Sequence, residues 1–198
     1  VSVTAANGAI TDAGSDSLLD IQGATAALSA GTGIGAVGAA DSLDVAADVL
    51  TATAGSGGIY INDLKSGAMT VDLDSDGAGD VELLSDGGLI LADQAADADG
   101  TAVNAANGAV LIQATGGDIT IEQAVIAGTA GNGISLTTLI SGNVVLGDGS
   151  IVTTGAGDVT IAAAGSVTTA DANDTADVTA GGTLTMDAGA AIGTPAVN

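Results

Sequence analysis

The run Gly157-Asp158-Val159-Thr160-Ile161-Ala162-Ala163-Ala164-Gly165-Ser166-Val167-Thr168-Thr169 decides the fold. A glycine and a polar residue open each half, and an apolar–polar–apolar triplet follows. Period-two alternation in β-branched residues describes a short strand with one buried face. Glycine beside Asp or Ser supplies the turn between the strands. The same unit stands at Gly79-Asp80-Val81-Glu82-Leu83 with Gly87-Gly88-Leu89-Ile90-Leu91, and at Gly142-Asn143-Val144-Val145-Leu146 with Gly149-Ser150-Ile151-Val152-Thr153. Gly108-Ala109-Val110-Leu111-Ile112 and Gly117-Asp118-Ile119-Thr120-Ile121 form a related pair. Second strands open seven to nine residues after the first.

Further short apolar runs fill the rest of the chain, among them Val1-Ser2-Val3, Ile59-Tyr60-Ile61, Ile134-Ser135-Leu136 and Leu184-Thr185-Met186. Helical signals are weak. Asp41 to Leu50 reads either as a helical turn or as strand-turn-strand. Stacking equivalent coils aligns like residues and suits small apolar interiors with Gly, Asn and Asp at corners. The expected fold is therefore all-β, a right-handed parallel β-helix (β-solenoid). At about 20 residues per coil it makes roughly ten coils, about 45–50 Å long. A β-sandwich is the alternative, but it calls for larger core residues and stronger hairpin turns.

Composition agrees with a thin core. The 198 residues contain no Phe, Trp or Cys and a single aromatic, Tyr60, beside 32 glycines. Small side chains fill a narrow interior and leave a wide one under-packed. Charge is lopsided: Lys65 is the one basic residue against 24 acidic ones, for a net charge of −23. A mean hydropathy of +0.53 separates the chain from solvated acidic tails. Nucleic acid is a poor partner for such a surface, since nothing on it replaces phosphate counterions. No run has the length or apolarity of a membrane span, so no membrane insertion is expected. The absence of cysteine excludes a disulfide scaffold and a thiolate site.

The chain reads as a single solenoid segment, 1–198. A longer repeat of 158 residues is also expected: residues 1–40 align without gaps on 159–198 with eleven identities, so 1–158 would be one repeat and 159–198 the start of the next. Opening at Val1 and ending at Asn198 in mid-pattern, the chain reads as a processed or excised piece.

Ala27-Leu28-Ser29-Ala30-Gly31-Thr32-Gly33-Ile34-Gly35, Leu50-Thr51-Ala52-Thr53-Ala54 and Gly57-Gly58-Ile59-Tyr60-Ile61-Asn62-Asp63 resemble repeats of filamentous-haemagglutinin-like giant bacterial surface proteins. The Gly-Asp-Val-Thr-Ile units are similar to the same material. The resemblance implies a right-handed parallel β-helix, an extracellular or cell-surface location, and a role in adhesion, biofilm or cell–cell contact. It carries no catalytic residues.

The chemistry available is narrow. Solenoid lyases and hydrolases need acid/base carboxylates in a cleft, commonly with Arg, Lys or aromatic platforms for sugar. Without His no Ser-His-Asp triad forms, so no catalytic residue and no enzyme activity are expected. The sharpest motif is Asp72-Leu73-Asp74-Ser75-Asp76-Gly77-Ala78-Gly79-Asp80. Alternate carboxylates before a glycine match the opening of a calcium loop, with Asp72, Asp74, Asp76 and Asp80 as oxygen ligands. Leu83 stands where that loop carries its bidentate Glu, and Glu82 is one place early. A solvated acidic turn is the simpler reading. Asp97-Ala98-Asp99-Gly100 is a shorter hint of the same kind. Thr51-Ala52-Thr53 suggests the threonine ladder of ice-binding solenoids, but it does not recur at a coil interval. Calcium is thus the one cofactor expected, and the partners are copies of the chain joined end to end or laterally, and cell-surface proteins or glycans. The leading function is a structural or adhesive fibre segment, with a calcium-dependent glycan- or protein-binding module as the alternative.

Overall fold

The computed structural model describes residues 1–14, 16–38, 40–94, 99–128, 131–147, 151–153, 156–170 and 176–193. Among them the chain forms strands and no helix. In chain order these are β1 (Ser2–Ala5), β2 (Ile21–Ala30), β3 (Leu43–Ala54), β4 (Ile59–Asp63), β5 (Met69–Ser75) and β6 (Val81–Ser85). They continue with β7 (Leu89–Leu91), β8 (Thr101–Ala105), β9 (Val110–Gly116), β10 (Ile119–Ile121), β11 (Ala124–Ala127) and β12 (Ile134–Ser141). The last six are β13 (Val144–Leu146), β14 (Ile151–Thr153), β15 (Val159–Ala163), β16 (Val167–Thr169), β17 (Val178–Thr179) and β18 (Leu184–Ala188).

Strand pairings among these elements are parallel, and from β6 onward each strand pairs with the third one after it, as in β6–β9–β12–β15–β18. Three strands therefore complete one turn, and the cross-section has three faces. The first face stacks β1, the later halves of β2, β3 and β5, then β8, β11, β14 and β17. The second stacks β4, β6, β9, β12, β15 and β18. The third stacks the first half of β5 with β7, β10, β13 and β16. The architecture is the parallel β-helix expected, consistent with right-handed winding.

The coil count differs. Stacked positions Ile10, Ile34, Ile59, Val81, Val110, Ile134, Val159 and Leu184 lie 22 to 29 residues apart, giving about seven turns instead of ten. At about 4.8 Å per turn the stack is about 35 Å high. The spacing of seven to nine residues read in the sequence is the step from one face to the next, and three such steps make a turn. The early coils keep the ordinary length but reach the second half of the second face later, with residues 11–20 standing between Ile10 and Ile21 and 35–42 between Ile34 and Leu43. Asp41–Leu50, read as helix or strand-turn-strand, is a turn followed by the unbroken strand β3.

Burial follows the alternation. Inward residues stack into ladders of one kind, such as Leu43, Ile61, Leu83, Ile112, Leu136 and Ile161, all buried. Met69, Leu89, Ile119, Val144 and Val167 form another. Corner ladders carry small residues: Ala30, Ala54, Ser75, Ala105, Ala127 and Thr153. The narrow interior thus selects aliphatic side chains on the flats and Ala, Ser or Thr at the bends. The 158-residue offset carries its partners to different faces. Val1 leads into β1 on the first face, whereas Val159 opens β15 on the second.

Candidate functional site

The polar chemistry of the molecule sits at its corners, where each coil leaves one face and enters the next. A parallel ladder ends at every bend, and its next N–H needs an acceptor. Acidic and amide side chains supply it from the coil before. Asp80 Oδ1 accepts from Ala109 N at 2.8 Å, Asp118 Oδ1 from Asn143 N at 2.7 Å, and Asp158 Oδ1 from Thr183 N at 2.6 Å. Asn143 Oδ1 continues upward to Ser166 N at 2.8 Å. Each donor is the register equivalent of its acceptor residue, one coil on. The Asp or Asn of the Gly-Asp-Val units is therefore a rung between coils.

Hydroxyls close the bends from inside. Thr138 Oγ1 donates to Gly142 O at 2.9 Å and accepts from Ala164 N at 2.8 Å. Thr153 Oγ1 donates to Gly157 O and accepts from Gly181 N, both at 2.9 Å. Ser75 Oγ lies 3.0 Å from Gly79 O and 2.9 Å from Gly57 O. The shared spacing, Ser or Thr four residues before Gly, is a signal of these bends that is visible in the sequence. At these bends successive coils touch through backbone. A Cβ on Gly142, whose φ is +113°, would overlap Gly117 O, and one on Gly79 would overlap Gly58 N.

The four residues of the expected calcium loop occupy three different settings. Asp72 and Asp74 are buried on the outward face of β5, and Asp72 Oδ2 accepts from Gln94 N at 2.8 Å where the chain after β7 folds over the strand. Asp76 and Asp80 are exposed on the following turn, with Asp80 engaged as a rung. In β5 the chain stays extended through Ser75, so its alternate carboxylates line up along the strand, whereas a calcium loop curls them around one point. Among the described residues no three acidic side chains stand gathered to hold a metal ion. Asp97 and Ala98 lie outside the described residues; Asp99 Oδ1 accepts from Thr101 N at 2.7 Å as a local turn.

Two carboxylates are buried in ways the sequence did not signal. Asp63 ends β4 pointing inward, with no exposure. Ser85 Oγ donates to its Oδ2 at 2.7 Å and Lys65 N to its Oδ1 at 3.0 Å. Burial pushes the Asp63 carboxyl above its ordinary range, against the lowering effect of those bonds. Asp44, on the outward face of β3, also has no exposure. Its carboxyl is raised by burial first, with the Asn62 amide opposing and Asp20, Asp12 and Asp16 adding repulsion. Lys65, the lone cation, pairs with Asp48 at the surface. Thr51 and Thr53 point outward beside Asp72 and Asp74 of the next coil, so no threonine ladder forms there. No protein-family model, curated protein or solved structure matches the chain.

Proposed function

We propose that the chain is a structural and adhesive rod segment of a bacterial cell-surface fibre, not an enzyme. The observation that carries this reading is the continuity of the stack. Aliphatic ladders and corner rungs run through successive coils. A parallel strand edge over an apolar interior is a template for another coil. A further coil on that edge, from a second copy of the chain or from the same polypeptide, extends the rod without new chemistry. The resemblance to haemagglutinin-like repeats supports the cell-surface setting. The other reading, calcium-dependent recognition at Asp72–Asp80, has less support because those carboxylates follow the strand and its turn.

Electron microscopy of the purified chain, with sedimentation across a concentration series, tests the proposal. Straight filaments with a meridional repeat near 4.8 Å are expected at high concentration. Particles that stay short and monodisperse at every concentration would refute assembly by the chain itself. Turnover of an acidic polysaccharide would refute the non-enzymatic reading.

A further inference from the structure

The coil-by-coil threonine repeat that is missing around Thr51 is present along the third face. Register carries Thr25 onto Val49, then onto Thr70, Ile90, Thr120, Val145 and Thr168, one residue from each of seven successive coils. All seven are β-branched, and threonine alternates strictly with valine or isoleucine. Thr25 is exposed and the other six are half-buried, while residues beside them such as Met69, Leu89 and Ile119 are buried in the core.

β-Branched residues favour strands in general, so the comparison that matters is with the other two faces. Their outward ranks are mixed in size and charge: Tyr60, Glu82, Leu111 and Ser135 on the second, Thr53, Asp74, Asn104 and Ile126 on the first. Each of those faces also carries a register shift, between Thr138 and Ser141 and between Ala124 and Val125. The ladders beneath the third-face rank carry none. Each rung therefore offers a γ-methyl group at the strand spacing of about 4.8 Å, and every second rung adds a hydroxyl.

Such a rank fits a partner that repeats at the same interval. Seven rungs three residues wide present on the order of 300 Å², from about 4.8 Å per strand and about 3.3 Å per residue. A standard protein interface takes about 800 Å² from each partner. A second copy held by this rank alone would fall away, and the net charge of −23 on each copy opposes it further. Ice is uncharged, rigid and periodic, and along one axis its oxygens repeat at close to the strand spacing. Methyl groups order the water beside them, and hydroxyls, which both donate and accept, tie that water to the rungs. The stack already holds the rungs in place, so binding orders little of the protein.

We infer that the rank from Thr25 to Thr168 is a binding surface for crystalline water. Its contacts are the γ-methyl groups of all seven rungs and the hydroxyls of Thr25, Thr70, Thr120 and Thr168. The surface acts without fibre assembly and without a metal, so it stands apart from the function proposed above.

Thermal hysteresis and inhibition of ice recrystallisation test it, measured on the wild type, T70K/T120K and T160K. Thr160 is exposed on the second face, so T160K adds the same charge away from the rank. The wild type and T160K should both arrest ice growth, and T70K/T120K should lose most of that activity. Circular dichroism and thermal melts establish that each variant is folded. Absence of ice activity in the wild type, full activity in folded T70K/T120K, or equal loss in T160K would each overturn the assignment. A wild-type dimer in sedimentation that T70K/T120K abolishes would overturn it too, and would give the rank to a second copy of the chain.

Discussion

Ser85 sits directly above Asp63 in the stack, and its hydroxyl donates a 2.7 Å hydrogen bond to a carboxylate that has no contact with solvent. The pair occupies a corner ladder otherwise built of apolar and small residues, Val45 below and Ala114 above. A buried acid is therefore held at a bend where the neighbouring coils use a methyl or an isopropyl group.

Stability should rise on mild acidification. The folded-state carboxyls of Asp63 and Asp44 are shifted above the ordinary value of 3.8. A raised pKa means the folded state binds the proton more tightly than the unfolded chain. The resulting stabilisation is full below about 3.8 and is lost as pH climbs through the raised values. Urea midpoints should be higher close to pH 3.8 than at neutral pH. D63N should flatten part of that slope while wild-type self-repulsion from the net charge remains; an unchanged slope would dissociate Asp63 from it.

Removing the hydroxyl should do the opposite. S85A deletes a donor that favours the charged carboxylate, so it should cost about 1–3 kcal/mol near neutral pH and less in acid. Chemical denaturation at both pH values measures the difference.

The corner rungs should contribute individually. D80A and D158A each remove an acceptor for a backbone N–H of the next coil, with a cost of about 0.5–2 kcal/mol. D80N and D158N keep the acceptor oxygen and should recover most of it. Equal losses for Ala and Asn would show that charge, not the rung, matters.

Close backbone contact between coils should make one glycine intolerant and another indifferent. G142A combines a positive φ with overlap on Gly117 O and should cost more than about 1 kcal/mol. Around Gly8 nothing lies within 4 Å of an added Cβ, so G8A should be near neutral. Thermal melts of the two variants distinguish these cases.

Much of the fold was legible because it is local. Alternation in Val159-Thr160-Ile161 or Ile119-Thr120-Ile121 states which side chain is buried, and those residues are buried. The length of a turn was not legible, because the chain marks each bend but not how many bends close a circuit. The acidic motif failed for a related reason. Asp72, Asp74 and Asp76 have the spacing of a curled loop, but Leu73 and Ser75 between them are buried and hold the chain extended through β5. Asp44 stacks on Asp20 only because Val45 pairs with Ile21, a register no local pattern encodes. Asp63 gave no signal at all, since an inward carboxylate at a strand end looks like a turn residue.

The ladder hydrogen bonds all point along the stacking direction, and the first and last coils lie at opposite ends of it. A pull between those ends loads the bonds of the terminal coil before any other, so the molecule yields by unspooling. Each turn that peels away gives up about 4.8 Å of height and releases about 25 residues, or about 85 Å of slack at full extension. Tension on such a rod would be absorbed in steps, each arrested at the next corner rung, and the chain would act as a shock absorber whose travel far exceeds its resting length.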